Sequence, residues 1–244
     1  MTTPGPRPLA DRAVLVIGGS SGIGYEVARR ARGAGARVTI TGRDERRLAA
    51  AAERLGAGAR RLDAHDEAQL ESAFAGLRPV DHIVSMVGDS MAGGFLQTAP
   101  QTMQHVLRSK FLTNWAIGRH AARTLAAGGS LTYTSGTGGR PHEISATYVA
   151  NLAISALVQG LAHEMAPRQR VNAVAPTFMG TGTAFWRNIP PAELGGQEAA
   201  FAASVPLRRV ATTGEVAAAY LHLMTNTFIT GQVLAVDGGV MLAI

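Results

Sequence analysis

Three glycines that follow the first apolar run of the chain have a spacing that suits phosphate binding. The apolar residues 14–17 lead into Gly18-x-x-x-Gly22-x-Gly24, and an amphipathic segment begins at Tyr25. Because glycine has no Cβ atom, backbone N–H groups and a helix N-terminus can approach a pyrophosphate there. An ordinary tight turn is the alternative, since the spacing differs from the commoner G-x-G-x-x-G pattern. We predict that a dinucleotide contacts Gly18, Ser20, Ser21, Gly22, Ile23 and Gly24.

Two charged residues follow the next two apolar runs, where the adenosine half of such a ligand would lie. Arg43 stands where an NAD-binding chain has a carboxylate for the ribose 2′-hydroxyl, so a 2′-phosphate, and hence NADP(H), is favoured. Asp63 is placed to accept a hydrogen bond from the adenine amino group. Each residue also has a simpler interpretation. Arg43 would be a solvated charge at a helix start, and Asp63 would cap the helix that begins near Asp66.

The composition favours one α/β domain and argues against nucleic-acid or membrane partners. A chain of 244 residues with 46% hydrophobic content can bury a large core. The net charge of +6 comes from arginines spread along the chain and not from a basic patch interleaved with aromatics. No apolar stretch has the length of a membrane span, and residues 1–10 are predicted to be a short flexible lead. The absence of cysteine is compatible with a cytoplasmic protein.

Lysine occurs once in the chain, at Lys110, although there are 23 basic residues. A lysine ammonium is compact and changes its charge when it is buried, unlike the guanidinium of arginine. In a chain so biased toward arginine, the retained lysine indicates a position where a titratable cation is useful. The alternative is a chance lysine on the surface of an amphipathic helix.

Apolar, β-branched runs alternate with helical patterns, which is typical of a parallel sheet covered on both faces. The runs predict strands over residues 13–18, 37–41, 59–62, 81–87, 130–135, 170–175 and 232–236. The helical patterns cover residues 22–34, 44–55, 66–76, 100–127, 143–166 and 212–225. Ligands of such sheets bind beyond the carboxyl ends of the strands, where the strand order reverses. The residues just after each strand are therefore the candidates for a site.

The chain resembles the short-chain dehydrogenase/reductase family over nearly its whole length. The likeness lies in the glycine pattern, in residues 170–176 (Arg-Val-Asn-Ala-Val-Ala-Pro) and in residues 229–239, which end in Val-Asp-Gly-Gly. The resemblance implies an α/β fold with a Rossmann-like, doubly wound sheet of seven parallel strands and helices on both faces, in one domain over residues 1–244. It also implies a homo-dimer or homo-tetramer formed through the long helices near residues 100–127 and 143–166.

In this family a tyrosine acts as acid or base, with a lysine four residues later and a serine thirteen residues earlier. Ser135 and Tyr148 have that spacing and are the implied catalytic pair. The lysine position holds Leu152. Without that lysine, Tyr148 is expected to donate a proton at neutral pH but to be a poor base. The resemblance therefore favours reduction of a carbonyl over oxidation of an alcohol.

The coenzyme positions implied by the resemblance are kept in part. Gly88 closes the stretch Ser85-Met86-Val87-Gly88, where the family has Asn-Asn-Ala-Gly. After the sixth strand Pro176 is retained, but Thr177 replaces the usual glycine. Thr181 matches the residue that holds the nicotinamide amide. Gly88, Pro176 and Thr181 are therefore expected to contact the coenzyme.

Lys110 falls at or next to the position of the family's catalytic asparagine. If Trp115 aligns with the aromatic residue five places after that asparagine, Lys110 replaces the asparagine; another alignment places Ser109 there. Our hypothesis is that Lys110 partly takes over, from the neighbouring helix, the role of the absent lysine. It is therefore included in the implied catalytic set with Ser135 and Tyr148.

The leading prediction is an NADPH-dependent reductase that acts on a carbonyl or imine of a hydrophobic small molecule. The apolar segment 178–203 resembles the substrate lid of the family. Asp89 follows the fourth predicted strand, and Arg140 and His142 lie between Ser135 and Tyr148, so these side chains are further candidates for the pocket. A turn role for Asp89 and a structural or solvated role for the other two are the simpler expectations. The rival is a non-redox protein on the same fold, either a cofactor-binding protein without turnover or an isomerase or cyclase, because Leu152 replaces the lysine.

Overall fold

The structure is a computed structural model that describes residues 7–179 and 191–242. Two of the expectations above cannot be placed in it. Thr181 and the central part of the predicted lid over residues 178–203 lie outside the described residues. The strands and helices that are described alternate along the chain, as the apolar pattern predicts.

Seven parallel strands form one sheet. They are β1 (Ala13–Ile17), β2 (Arg37–Gly42), β3 (Gly58–Arg61), β4 (Val80–Ser85), β5 (Leu125–Thr134), β6 (Arg170–Pro176) and β7 (Val233–Val236). Their order is β3-β2-β1-β4-β5-β6-β7, which reverses between β1 and β4. The carboxyl ends of β1 and β4 therefore border the crevice where ligands of doubly wound sheets bind. The predicted seven-stranded Rossmann-like fold is confirmed.

Helices cover both faces of this sheet. In the described residues they are α1 (Gly22–Gly33), α2 (Glu45–Leu55), α3 (Glu67–Ala75), α4 (Pro100–Val106), α5 (Thr113–Thr124), α6 (Ser145–Met165), α7 (Pro191–Ser204) and α8 (Thr213–Thr225). Strand β1 shows why two layers are needed, since successive side chains of a strand point to opposite faces. Val14 and Val16 pack in the core with α1, α2 and α8. Leu15 and Ile17 pack in the core with α3, α5 and α6.

Polar caps begin the helices that follow the carboxyl ends of β2 and β3. The Asp44 side chain accepts a hydrogen bond from the backbone N–H of Arg47 at the start of α2. The Asp66 side chain accepts one from the backbone N–H of Gln69 at the start of α3. These carboxylates satisfy N–H groups that have no partner inside the helix. The capped helix starts therefore fix the two short loops in which the adenosine-binding residues were predicted.

The helix predicted over residues 100–127 is divided into three segments and followed by a strand. A π-helical segment, Leu107–Leu112, separates α4 from α5, and the backbone at both junctions is right-handed helical. A π turn inserts one extra residue, which rotates the following side chains relative to an α-helix. Strand β5 then begins at Leu125, earlier than predicted, because Leu125 pairs with Val80 before a register shift in the ladder. An amphipathic pattern alone could not locate either feature.

The predicted flexible lead (residues 1–10) and the predicted lid (residues 178–203) also differ from the structure. Leu9 is 1% exposed, and its backbone N–H donates a hydrogen bond to the Ala34 carbonyl at 3.1 Å. The flexible lead predicted over residues 1–10 is therefore wrong at its carboxyl end, because Leu9 joins the core around α1. Residues 191–203 of the predicted lid belong to helix α7.

Helix α6 is, within the described part of the chain, the helix long and apolar enough to match a membrane span. Its residues Ile154, Val158 and Ala162 pack in the core beneath the sheet. A buried helix of a doubly wound fold is expected to have this composition.

Candidate active site

The turn between β1 and α1 has a backbone that leaves room for a phosphate group. Gly18 has a φ of +87° and Gly22 a φ of +58°, a region that L side chains rarely adopt. A Cβ atom on Gly24 would lie 2.3 Å from the Gly18 carbonyl oxygen, so the helix packs directly on the turn. The first turn of α1 contains no acidic residue to repel an anion. This geometry fits the pyrophosphate of a nicotinamide dinucleotide.

The other residues predicted at this turn lie where the sequence pattern placed them. Ser20 is buried, and a Cβ atom on Gly42 would lie 3.1 Å from its hydroxyl oxygen. Ser21 occupies the N-cap position of α1 with an extended backbone. Ile23, in the first turn of α1, packs against the core. Coenzyme contacts by these three residues remain predictions.

The adenosine end of the site is formed by the loops after β2 and β3. Arg43 is exposed directly after β2, and its carbonyl oxygen lies 3.5 Å from Arg61 Nε. Asp63 Oδ1 accepts a hydrogen bond from the backbone N–H of His65 at 3.1 Å. The alternative in which Asp63 caps the next helix is wrong, because Asp66 caps α3. Asp63 instead holds its own loop and remains a candidate for the adenine amino group.

Lys110 is buried in the π segment and its side chain reaches Ser135. Its side chain is inside the protein, and Nζ lies 3.5 Å from the Ser135 carbonyl oxygen. The backbone of Gly88 packs on it: a Cβ atom there would lie 2.8 Å from Lys110 Cγ, and the φ of Gly88 is +138°. Burial lowers the pKa of the Lys110 ammonium to about 8, while the Asp89 carboxylate acts in the opposite direction. The surface-lysine alternative is therefore wrong.

Ser109, the other candidate for the asparagine position, faces a different partner. It is buried beside Lys110, and its hydroxyl accepts a hydrogen bond from the Asp89 backbone N–H at 3.2 Å. The same hydroxyl donates to the Val106 carbonyl at 3.3 Å. Of the two adjacent residues, Lys110 is thus the one directed toward Ser135.

Ser135 and Tyr148 are connected through the first two turns of α6. Ser135 directly follows β5 as a buried residue, and its hydroxyl donates to the Asn151 carbonyl at 3.3 Å. Tyr148 is half-buried one turn before Asn151. Leu152, at the position of the family lysine, is 57% exposed. Ser135 and the start of α6 with Tyr148 therefore lie together at the carboxyl edge, and the lysine that reaches Ser135 lies in the π segment.

Asn114 is a buried site residue that the sequence analysis missed. Its Nδ2 donates to the Lys110 carbonyl at 2.6 Å and to the Val87 carbonyl at 3.0 Å. Its Oδ1 accepts a hydrogen bond from the Ser85 hydroxyl at 2.6 Å, so the amide joins β4 to the π segment. The available signal was Asn114 itself, a polar residue four positions after Lys110 and three before the buried Ile117. We assign it a positioning role.

The loop after β6 is held against the loop that follows Ser135. The Thr137 backbone N–H donates to the Pro176 carbonyl at 2.9 Å. The Thr177 hydroxyl is buried without a hydrogen-bond partner among the described residues. A Cβ atom on Gly138 would lie 2.7 Å from this hydroxyl oxygen. Pro176 is thus beside the candidate site, as the resemblance implies.

The remaining candidates lie on the rim of this site. Asp89 Oδ2 is 2.8 Å from His105 Nε2, so Asp89 is more than a turn residue. Arg140 is exposed and its backbone N–H donates to Glu143, while His142 is exposed nearby. The Phe178 ring stacks on Phe201 of α7 with centroids 4.9 Å apart. The described end of the predicted lid is therefore apolar where it packs on α7.

Comparison with known proteins decides the family. A family model described as enoyl-(acyl carrier protein) reductase matches residues 17–241. This chain belongs to the short-chain dehydrogenase/reductase family. A mouse 3-oxoacyl-[acyl-carrier-protein] reductase is 30% identical over 244 residues, which covers 96% of this chain and 100% of the mouse protein. The predictions of an oxidoreductase family and of a family enzyme are thereby confirmed.

Two further relatives indicate the range of this short-chain dehydrogenase/reductase family. Galactitol 2-dehydrogenase (L-tagatose-forming) from Cereibacter sphaeroides is 32% identical over 239 residues, which covers 92% of each chain. A small-chain dehydrogenase solved in complex with NADPH is 26% identical, with a TM-score of 0.80 over 95% of this chain and 99% of that chain. These similarities support a nicotinamide coenzyme and leave the substrate open.

Proposed function

We propose that this short-chain dehydrogenase/reductase uses NADPH to reduce a carbonyl or imine of a hydrophobic small molecule. The observation that carries the proposal is the buried ammonium of Lys110 at 3.5 Å from the Ser135 carbonyl oxygen. It supplies the catalytic serine and tyrosine with a cation although Leu152 occupies the usual lysine position. The rival non-redox function rested on the loss of that cation.

The choice of NADPH over NADH rests on the loop after β2. Arg43 is exposed there, and the position has no carboxylate for a ribose 2′-hydroxyl. A guanidinium binds a phosphate through charge-assisted hydrogen bonds. The glycine turn, Ser20, Ser21 and Ile23 would hold the pyrophosphate, and Gly88, Pro176 and Thr181 the nicotinamide half. When bound, the coenzyme supplies a hydride.

The chain's own residues supply the proton and hold the substrate oxygen. Tyr148 donates its phenolic proton to the oxygen of the carbonyl as negative charge develops there. Ser135 donates a hydrogen bond to the same oxygen and so positions it beside Tyr148. The Lys110 ammonium stabilises the phenolate that remains, because opposite charges attract strongly in a buried site. Each turnover therefore leaves the site short of one proton, which water must replace.

The proposal is tested by incubating the protein with NADPH and a panel of ketones, quinones and imines. We expect steady, substrate-dependent loss of the reduced-nicotinamide absorbance, with hydrophobic substrates preferred because of the apolar stacking of Phe178 on Phe201. Calorimetric titration with NADPH is the accompanying binding measurement. Tight binding without turnover on any class of substrate would support a cofactor-binding protein instead. Absence of binding would end the redox assignment.

We also propose a homo-dimer or homo-tetramer formed through the long helices. Leu112 and Trp115 are each more than two-fifths exposed on the face of the π segment and α5. Arg119 lies over the Trp115 ring at 5.0 Å and leaves the other face of that ring available to a partner. Exposed apolar side chains in one row are typical of a protein interface.

A further inference from the structure

A carboxylate–imidazole pair lies next to the π segment that carries the buried lysine. Asp89 Oδ2 and His105 Nε2 are 2.8 Å apart, with the two side chains 44% and 57% exposed. The Asp89 backbone N–H donates to Ser109, the residue before Lys110. Asp89 is thus held by α4 through its side chain and by the π segment through its backbone. The pair is open to water, and the Asp89 backbone connects it to the segment that carries Lys110.

Lys110 needs a negative charge close to it. An ammonium inside a protein is stabilised only by hydrogen bonds and opposite charge, and its Nζ has one hydrogen bond among the described residues, to a carbonyl oxygen at 3.5 Å. Asp89 directly follows Gly88, whose backbone packs on the lysine stem. The field of Asp89 raises the pKa of Lys110 and so opposes the effect of burial. This carboxylate is therefore placed as a counter-ion.

The other charged groups at this corner act on a different residue. His65, after β3, lies 3.0 Å from the Thr113 hydroxyl and faces Asp63, Asp89, Arg43 and His105. Arg108 of the π segment is exposed, and Tyr148 of α6 is half-buried. Among the charged groups described, Asp89 is the one whose field acts on Lys110.

We propose that Asp89 is the counter-ion of Lys110 and that His105 connects this pair to water. Asp89 keeps the buried ammonium charged. After a reduction, Lys110 gives one proton to the Tyr148 phenolate and becomes neutral, and His105 and Asp89 return a proton to the lysine. The proton moves from water to the imidazole, then to the carboxylate and then, through water, to the lysine. Asp89 and His105 are thus positioning residues. The second half of the proposal rests on the proposed reductase function; the first half does not.

The counter-ion is tested by observing the single lysine directly. Protein labelled with [13Cε]lysine gives one lysine resonance, because the chain has only Lys110. We expect its titration midpoint near pH 8 in the natural sequence. In Asp89→Asn it should fall by about one unit, and Asp89→Glu should restore it. The matched control Glu164→Gln, at the far end of α6, should leave it unchanged. An unchanged midpoint in Asp89→Asn would overturn the counter-ion.

The proton route is tested by the pH dependence of NADPH-dependent turnover. In Asp89→Asn the loss of rate at high pH should begin about one unit lower, and KM for NADPH should stay within about twofold. In His105→Gln, kcat should fall about threefold or more and recover on addition of imidazole, while the control His163→Gln should keep full activity. Loss without imidazole rescue, or no loss, would overturn the route. If the natural sequence shows no turnover, the proposed function fails, and the lysine titration still decides the counter-ion.

Discussion

At the scale of single residues, Lys110 shows how one charge can be supplied from a different element. Four residues after Tyr148 the chain has Leu152, which is exposed, while the ammonium enters from the π segment and reaches Ser135. Burial makes this lysine easier to deprotonate than a lysine in water. Its charge therefore depends on its neighbours, and its catalytic value depends on its charge.

Lys110→Met and Lys110→Arg should each lower kcat about tenfold or more. Methionine removes the charge, and the wider guanidinium does not fit the space beneath Gly88. The measurement is steady-state NADPH oxidation with the best substrate of the panel. The double variant Lys110→Asn with Leu152→Lys restores the family arrangement and should recover most of the activity. Full activity in either single variant would show that the lysine has no part in turnover.

Arg43→Ala should weaken NADPH binding about tenfold to a hundredfold and change NADH binding less than about twofold, because only NADPH carries the 2′-phosphate. Calorimetry with both coenzymes measures the difference. Arg78 is exposed just before β4, at the amino ends of the strands and so away from the site. Arg78→Ala is therefore the matched control. An equal loss for both coenzymes would remove Arg43 from the 2′-phosphate site.

At the scale of elements, the π segment sets the geometry of the site. It turns Ser109 and Lys110 into the protein, where an uninterrupted α-helix would present a different set of side chains. Asn114 holds the carboxyl end of this segment to β4 through Ser85 and to the loop after β4 through Val87. In addition, the Tyr133 hydroxyl of β5 donates to the Asn114 carbonyl at 2.9 Å. Two central strands are thus tied to the segment that carries the lysine.

Asn114→Ala should lower the free energy of unfolding by about 2 to 4 kcal/mol, since it leaves the Ser85 hydroxyl and the Val87 carbonyl buried without this partner. It should also lower kcat, because the π segment would no longer hold Lys110 at Ser135. Urea denaturation gives the first quantity and NADPH oxidation the second. Gln104→Ala, an exposed amide on α4, should change the unfolding free energy by less than about 0.5 kcal/mol. Equal stability of the two variants would contradict the bridging role.

At the scale of the whole molecule, the sheet also contains a titratable group away from the site. His82 of β4 is buried, and its Nδ1 lies 2.8 Å from the Ser130 hydroxyl of β5. Burial lowers the pKa of His82 to about 4, and nearby Arg170 and Arg12 act in the same direction, while Asp81 opposes them. In the unfolded chain this histidine has a pKa near 6.5. Between about pH 6.5 and pH 4 the unfolded state therefore binds a proton at His82 that the folded state does not.

The stability of the protein should therefore be complete above about pH 6.5 and fall as the pH approaches 4. Between pH 7 and pH 4.5 the contribution of His82 to this loss is about 2 kcal/mol. Urea denaturation of the natural sequence and of His82→Gln across this range gives the free energy of unfolding at each pH. The contribution of His82 is the difference between the two slopes of that free energy against pH. The exposed His163→Gln should follow the natural sequence. Identical pH dependence in the His82 variant would assign the loss to other groups.

The sequence by itself determined the fold, the glycine turn after β1 and the spacing of Ser135 and Tyr148. Glycine spacing, strand–helix alternation and a fixed separation along one loop and helix are local properties, and the carboxyl edge of a parallel sheet brings such loops together whatever the details. Asp66 as the helix cap and Leu9 as a core residue depended on neighbours that the pattern does not specify.

Only the tertiary structure decided that Lys110 points to Ser135, that Asn114 holds the Lys110 carbonyl, and that Asp89 pairs with His105. These contacts join β4, α4 and the π segment, which come from separate parts of the chain. A π turn changes side-chain direction by one residue without a clear signature in the apolar pattern. The charge of a buried lysine is likewise fixed by the groups packed around it and not by its position in the sequence.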